Sequence, residues 1–256
     1  ITLRHGEMLN DDSGTGDDVE GSLYDANLRT FKAIDTYTIK GDENGEIYTP
    51  RFTFHGFRYV EITGIEEALP AEWVTGIVLS NALEVTGDIE TSNALVNQLY
   101  SNVLWGQRSN FISIPTDCPQ RNERMGWTGD AQIFTRTATY LKNSDQFYNK
   151  YMYDVRTSQR SDGAYPNVAP ALKVYESYYN NGWGDAGLII PWQMYQQYGD
   201  TQIIKDNYDG MKAWVDLLYN TTNGTYLRPA EGLGDWLNVQ GTDTGLTNSA
   251  FFVYSS

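Results

Sequence analysis

The chain has 256 residues, a net charge of −15, a 40% hydrophobic composition and one cysteine, Cys118. Such a charge repels phosphate backbones and anionic lipid surfaces, so nucleic-acid and membrane partners are disfavoured and neutral ligands such as carbohydrates are compatible. A lone cysteine excludes a disulfide framework and a cysteine-based metal site, and no run of roughly 18 apolar residues offers a membrane span.

Residues 1–85 have a β character. The clearest stretch is RFTFHGFRYVEITG (51–64), where Phe52 and Phe54 alternate with polar positions and Phe57 and Tyr59 resume after His55–Gly56, a phase change that predicts a bulge. Strands are also expected at 35–40, 57–63 and 76–80, separated by acidic turns at 11–18 and 41–46. That spacing suits an antiparallel sandwich. From Thr91 the period becomes helical. Leu95, Val96, Leu99, Val103 and Leu104 predict a helix near 92–108. A second begins near Asp130, and Ser144 reads as the N-cap of a third, with Phe147, Tyr148, Tyr151, Met152 and Val155 inward. A long loop rich in Pro, Asn and Tyr covers 160–182. A helix follows after Gly184, an amphipathic one spans 201–219, and the last apolar run opens another. Helices alternating with long polar-aromatic loops suggest an α/α toroid, about half of one by helix count. The fold class is thus mixed: an all-β sandwich portion over 1–88, then an all-α toroidal portion over 89–256. The opening ITLRHGEMLN and the closing AFFVYSS both read as interior sequence of something longer.

The stretch DCPQRNERMGWTGD (117–130) concentrates chemistry in a segment without periodicity. Carboxylates beside an arginine and an indole are what a sugar site needs, since carboxylates accept hydroxyl hydrogen bonds and move protons while the indole packs on a pyranose face. Glycoside hydrolysis requires an acid to protonate the leaving oxygen and a second carboxylate to activate water or attack carbon. Glu123, between Arg121 and Arg124, is the candidate acid. Neighbouring arginines favour its ionised form, whereas burial and nearby carboxylates favour the protonated one. The plainer reading is an Arg–Glu ion pair that fastens a loop. Asp117 and Asp130 are candidate hydroxyl acceptors, against a turn role for Asp117 and an N-cap role for Asp130. Arg121 can donate to hydroxyls in a fixed fork, or pair internally with Asp117 or Glu123. Trp127, Trp183 and Trp236 each sit in a loop beside Gly and Asp, as GWTGD, GWGD and GDW, which marks them as candidate sugar-binding aromatics. Trp105, Trp192 and Trp214 lie in helical stretches and read as core. With only His5 and His55, both in the β region, Cys118 lacks an evident catalytic base. No metal site or cofactor is expected.

The segment DCPQRNERMGWTGDAQ (117–132) resembles the signature of bacterial α-L-rhamnosidases, glycoside hydrolase family 78. RHGEMLN (4–10), LYDANLRTFKAIDTYTIKG (23–41), PRFTFHGFRYVEITG (50–64), LYSNVLWGQRSNFISIPTDCPQR (99–121), RSDGAYPNVAP (160–170) and GWGDAGLIIPW (182–192) extend the resemblance over nearly the whole chain. It implies a β-sandwich preceding an (α/α)6 barrel and exo-acting, inverting hydrolysis of terminal α-L-rhamnose from glycosides or oligosaccharides. By position, Glu123 matches the general acid. Asp117, Arg121, Trp127 and Asp130 match rhamnose-contacting residues, and Trp183 and Trp236 match further aromatic contacts. Members of the family are much longer. Their general base is a glutamate in the later half of the barrel, so it is expected beyond Ser256, and this stretch alone is expected to be inactive. Inversion calls for carboxylates about 6.5–9.5 Å apart with a water between them. The rival expectations are another (α/α)6 glycosidase and a non-catalytic carbohydrate-binding module.

Overall fold

A computed structural model describes residues 1–11, 19–173 and 177–256. Apart from Asp11, the acidic turn expected at 11–18 lies outside the described residues. The chain divides into two compact units, one formed by Ile1–Ser80 with Cys118–Arg124, the other by Asn81–Asp117 with Met125–Ser256.

The first unit is built on β1 (Thr2–Gly6), which pairs antiparallel with β4 (Ile34–Thr36) on one side and β5 (Tyr59–Thr63) on the other. Leu3 faces Asp35 and Ile62 across the two ladders, and His5 faces Val60. A ribbon of β2 (Met8–Leu9) and β3 (Leu23–Tyr24) lies in the same unit. Leu23, Leu28, Ala33 and Cys118 are its buried apolar residues among those described. Gly6 is needed here because a Cβ would stand 2.8 Å from Leu23 Cδ1. The antiparallel pairing agrees with the sequence; several strands do not. The predicted strand at 35–40 is reduced to Ile34–Thr36, residues 76–80 form no strand, and Phe52 is fully exposed outside any strand. Gly56 is not a bulge within a ladder. It lies outside the strands, where an added Cβ would meet Gln120 Cβ at 2.9 Å, so it permits a close backbone approach.

The second unit is helical: α1 (Ala94–Asn110), α2 (Thr128–Leu141), α3 (Asp145–Thr157), α4 (Ala186–Tyr198), α5 (Thr201–Thr221) and α6 (Thr244–Ser255), with a two-residue hairpin β6 (Phe111–Ile112) and β7 (Ile114–Pro115) after α1. None of these helices is long and apolar enough to cross a membrane. Asn93, Asp200 and Asp243 accept from the first free backbone N–H groups of α1, α5 and α6, which explains why those helices begin there. Ser144 occupies the N-cap position of α3 but does not cap by side chain; its hydroxyl instead donates to the carbonyls of Lys142 and Ala138 at the end of α2. The central element is α4, apolar on nearly every side and buried from Ala186 to Pro191, as expected of a helix surrounded by others. It packs against α2, α3 and α5. Phe147, Tyr148, Tyr151, Met152 and Val155 of α3 turn inward as the spacing predicts.

Residues 163–169, predicted as loop, are almost wholly buried. Their backbone groups are nevertheless paired: Ala169 N donates to Gly126 O, Thr128 N to Asn167 O, and Asn167 N to Ser177 O. These bonds make burial of an irregular segment tolerable. Of the three helical tryptophans expected in the core, only Trp214 is there; Trp105 and Trp192 are about half exposed. Trp105 carries the Arg108 guanidinium 4.3 Å over its ring, and Trp192 lies against Tyr195. Helical periodicity places such residues on one face but does not say whether that face is covered.

Gly187 tests the packing around α4. A Cβ there would sit 2.1 Å from the buried Tyr165 ring. Gly187→Ala is therefore expected to cost about 1–3 kcal/mol through overpacking, read as a lower urea midpoint with an unchanged slope.

Candidate active site

In the first unit, the short segment 118–124 is fixed rung by rung to the turn at 29–31. Glu123 Oε2 accepts from Arg121 Nη2 at 2.9 Å and from Arg29 Nη1 at 3.3 Å. Next to it, Asn122 Nδ2 donates to Thr30 Oγ1 at 2.5 Å. Arg124 places its guanidinium 4.5 Å from the centre of the Phe31 ring and 4.6 Å from that of Phe54, and Nη2 donates to Phe54 O at 2.9 Å. Burial between these rings pulls Arg124 below its ordinary basicity. Arg121 is also drawn down by burial, but Cys118 and Glu123 beside it leave it above its ordinary value. Thus the Arg121–Glu123 pairing weighed in the sequence is present, and it is extended by an arginine from far upstream. The Glu123 side chain remains 23% exposed, and both guanidinium contacts fall on the same oxygen.

The two histidines form their own buried group. The His55 Nε2 nitrogen lies 3.1 Å from Asp35 Oδ2, and the His5 ring stacks on His55 at 4.3 Å while its Nδ1 faces Ala33 O. Burial lowers the His5 pKa. Ligand atoms of His5, Asp35 and His55 lie within 4.8 Å of one another. Stacked rings carry their lone pairs side by side rather than converging, a poor arrangement for one ion. The acidic turn at 41–46 is satisfied internally: Glu46 accepts from the backbone of Lys40, Gly41 and Asp42 and bonds Tyr37, which together hold it down at about 2.

In the second unit, Asp117 acts as a loop tie. Its Oδ1 accepts from Met125 N at 2.8 Å, and its own N–H donates to Met125 O at 3.0 Å. Asp117 and Asp130 line one cavity of about 390 Å³ together with Gln107, Asn110, Thr116 and Phe134. Asp130 is not the N-cap of α2. Trp127 occupies that position, and Asp130 is the third helical residue, in the first turn, where the helix dipole favours a negative charge. Trp183 lies against the same turn, since a Cβ on Gly129 would stand 2.9 Å from its indole. The unit therefore gathers Trp127, Asp130 and Trp183 around the start of α2. Trp236 sits apart on the loop before α6 and is 58% exposed. Its loop is held to the Trp183 loop through Asn180, whose Oδ1 accepts from Leu233 N at 3.0 Å.

The sequence reading missed the residue that braces these loops. Asp185, in the GWGD motif, is fully buried; it accepts from Gly182 N at 2.6 Å, Trp214 Nε1 at 3.0 Å and Ser255 Oγ at 2.6 Å. Burial pushes its carboxyl above the usual range, against these donors and the positive charge of Arg228. The Arg228 side chain is itself buried and donates to Tyr179 Oη at 2.9 Å. Nothing in the local pattern separates a buried acid from a surface one. Arg29, by contrast, is joined to Glu123 only by the fold.

Residues 84–256 match the family model described as the bacterial alpha-L-rhamnosidase 6 hairpin glycosidase domain, and residues 1–80 match the bacterial alpha-L-rhamnosidase concanavalin-like domain. The chain belongs to the bacterial α-L-rhamnosidase family. It is 46% identical to an alpha-L-rhamnosidase of Streptomyces avermitilis over its whole length, covering 24% of that protein. It is 38% identical to one of Formosa agariphila, covering 28%. The crystal structure of the Streptomyces avermitilis enzyme complexed with L-rhamnose superposes with a TM-score of 0.92 over 99% of this chain and 24% of that one. An alpha-L-rhamnosidase structure from Dictyoglomus thermophilum gives 0.90 at 38% identity, over 99% of this chain and 28% of that one. The chain thus spans about a quarter of the length of these relatives.

Removing Asp185 leaves the Trp214 and Gly182 N–H groups without their acceptor and Arg228 with less compensation. Asp185→Ala is expected to cost about 3–5 kcal/mol, the range for stripping a partner from a buried charge, measured by chemical denaturation.

Proposed function

We propose that these residues form part of an inverting exo-α-L-rhamnosidase acting on terminal rhamnose of glycosides or oligosaccharides. Residues 1–88 are read as part of its β-sandwich and residues 89–256 as the N-terminal half of its (α/α)6 barrel. Six helices among the described residues are half of what six hairpins require. The exposed Leu95, Leu99 and Trp105 of α1 and Leu246 and Val253 of α6 are the kind of apolar surface that further hairpins would cover.

Glu123 is assigned as the general acid. Its proton passes to the glycosidic oxygen as the bond from that oxygen to the anomeric carbon breaks, the bonding pair staying on oxygen. A water attacks the opposite face of that carbon and gives its proton to a second carboxylate, so the aglycone leaves as a neutral alcohol and the sugar is released inverted. That second carboxylate is assigned to a glutamate outside these 256 residues, and the stretch by itself is expected not to turn over. Asp117, Arg121 and Asp130 are assigned to the rhamnose hydroxyls. Trp127, Trp183 and Trp236 are assigned to its apolar surfaces, including the C6 methyl. The observation that carries the acid assignment is a partly exposed carboxyl whose donors crowd one oxygen and leave the other outside those contacts. A guanidinium can also donate to the carbonyl oxygen of the neutral acid, more weakly than to the carboxylate, so these bonds hold the group in both forms and leave Oε1 for the proton.

In the full-length protein, Glu123→Gln is expected to lower hydrolysis of an alkyl α-L-rhamnoside by about 10²–10⁴-fold; an unchanged rate rejects the acid. The anomer first released, followed by proton NMR during turnover, should be the β form, and an initial α product rejects inversion. A panel of aryl glycosides should leave rhamnosides as the sole good substrates.

A further inference from the structure

Arg29 stands on the first unit's only direct side-chain ion pair to Glu123 from outside the 118–124 segment among the described residues. It closes the short 3-10 turn Ala26–Leu28, with φ 61° and ψ −116°. A side-chain-bearing residue rarely adopts that conformation, whereas glycine does so readily. Strained residues of this kind persist where the surroundings over-determine them, and they concentrate at functional sites. The neighbours supply that determination: Thr30 holds Asn122 and Phe31 holds Arg124, so the turn and the segment are already aligned without Arg29. Arg29 itself is 58% exposed at the side chain, and among the described residues its side chain is held by one 3.3 Å contact with Glu123 Oε2. A surface pair of that length contributes little to stability. Folding therefore gains little from an arginine where glycine would be relaxed.

The geometry points to Arg29 as a positioning residue for proton delivery by Glu123, an inference that rests on the acid assignment above. Arg121 and Arg29 meet on Oε2, which fixes the rotation of the carboxyl group about its terminal bond and directs Oε1 away from both guanidiniums. The transferable proton is thereby confined to Oε1. With Arg29 gone, one donor remains and the carboxyl can rotate, so the proton spends less time in line with the leaving oxygen. Small misplacements of a reacting group are costly in rate.

The test exploits leaving-group chemistry in the full-length protein. A methyl α-L-rhamnoside needs its oxygen protonated as the bond breaks, whereas a 2,4-dinitrophenyl α-L-rhamnoside expels a stable phenolate without help. Arg29→Gly and Arg29→Ala are expected to lower kcat on the methyl glycoside by about tenfold or more, with KM and the dinitrophenyl rate little changed. Arg29→Lys, which keeps a donor, should recover part of the loss. The Gly variant should melt within a few degrees of the parent, because it relieves the turn. Equal losses on both substrates, or none on either, while Glu123→Gln is selective for the methyl glycoside, overturn the role of Arg29 alone. A Glu123→Gln variant that loses both substrates equally overturns the acid assignment and the role of Arg29 with it.

Discussion

A guanidinium clasped by two aromatic rings sets the placement of the functional segment in the first unit. Arg124 lies between Phe31 and Phe54 and donates to the Phe54 carbonyl. Both rings lie within cation–π reach of the guanidinium, and the carbonyl takes one of its N–H donors. Such a cation–π arrangement is worth more when desolvated than on an open surface, and burial has already lowered Arg124's basicity. Lysine cannot reproduce it, because a compact ammonium offers no planar face to either ring. Arg124 itself has φ 52°. Its strain is offset by the two ring contacts and the hydrogen bond to Phe54 O, and the adjacent Glu123 inherits a fixed position.

The second unit solves a different problem with the same economy of parts. Three loops carry tryptophans, and loops are ordinarily the most mobile parts of a fold. Here, two of them converge on buried polar groups. Asp185 collects donors from its own turn, from α5 and from α6. Asn181 Nδ2 donates to Asn248 O, and Asn248 in turn donates to Pro229 O and Glu231 O. A buried network with most members satisfied specifies one geometry, because each alternative leaves a polar group stranded. The glycines serve the same end: Gly184 has no room for a Cβ against the Trp214 ring, and Gly129 has none against Trp183.

These two solutions differ in how visible they are in the sequence. The helices follow from apolar spacing, but their starts are less legible: neither Asp130 nor Ser144 caps through its side chain, whereas Asn93, Asp200 and Asp243 do. The chemistry-bearing segment is legible because charged and aromatic residues without periodicity have few structural uses. The β part is less legible. Phe52 alternates correctly yet lies exposed outside any strand, because pairing depends on partners distant in sequence that alternation cannot name. Asp130 illustrates the same limit at short range: one residue type serves as cap or as first-turn anion, and a shift of a few residues in the helix start decides which. Trp105 and Trp192 have the spacing of core residues but not the cover.

The contact between Arg29 and Glu123 joins residues 94 apart in sequence. It illustrates why an ion pair and a catalytic acid are not exclusive readings of one carboxyl. An ion pair that spread its donors over both oxygens would leave a proton no oxygen free of a guanidinium. Donors concentrated on one oxygen orient the group and keep the other oxygen available. The distinction lies in which atom is contacted, a level of detail that neither residue type nor spacing contains. Partial exposure bears on the same question: a carboxyl sealed in the interior by its arginines could orient but could not reach a substrate, whereas Glu123 keeps 23% of its side chain exposed.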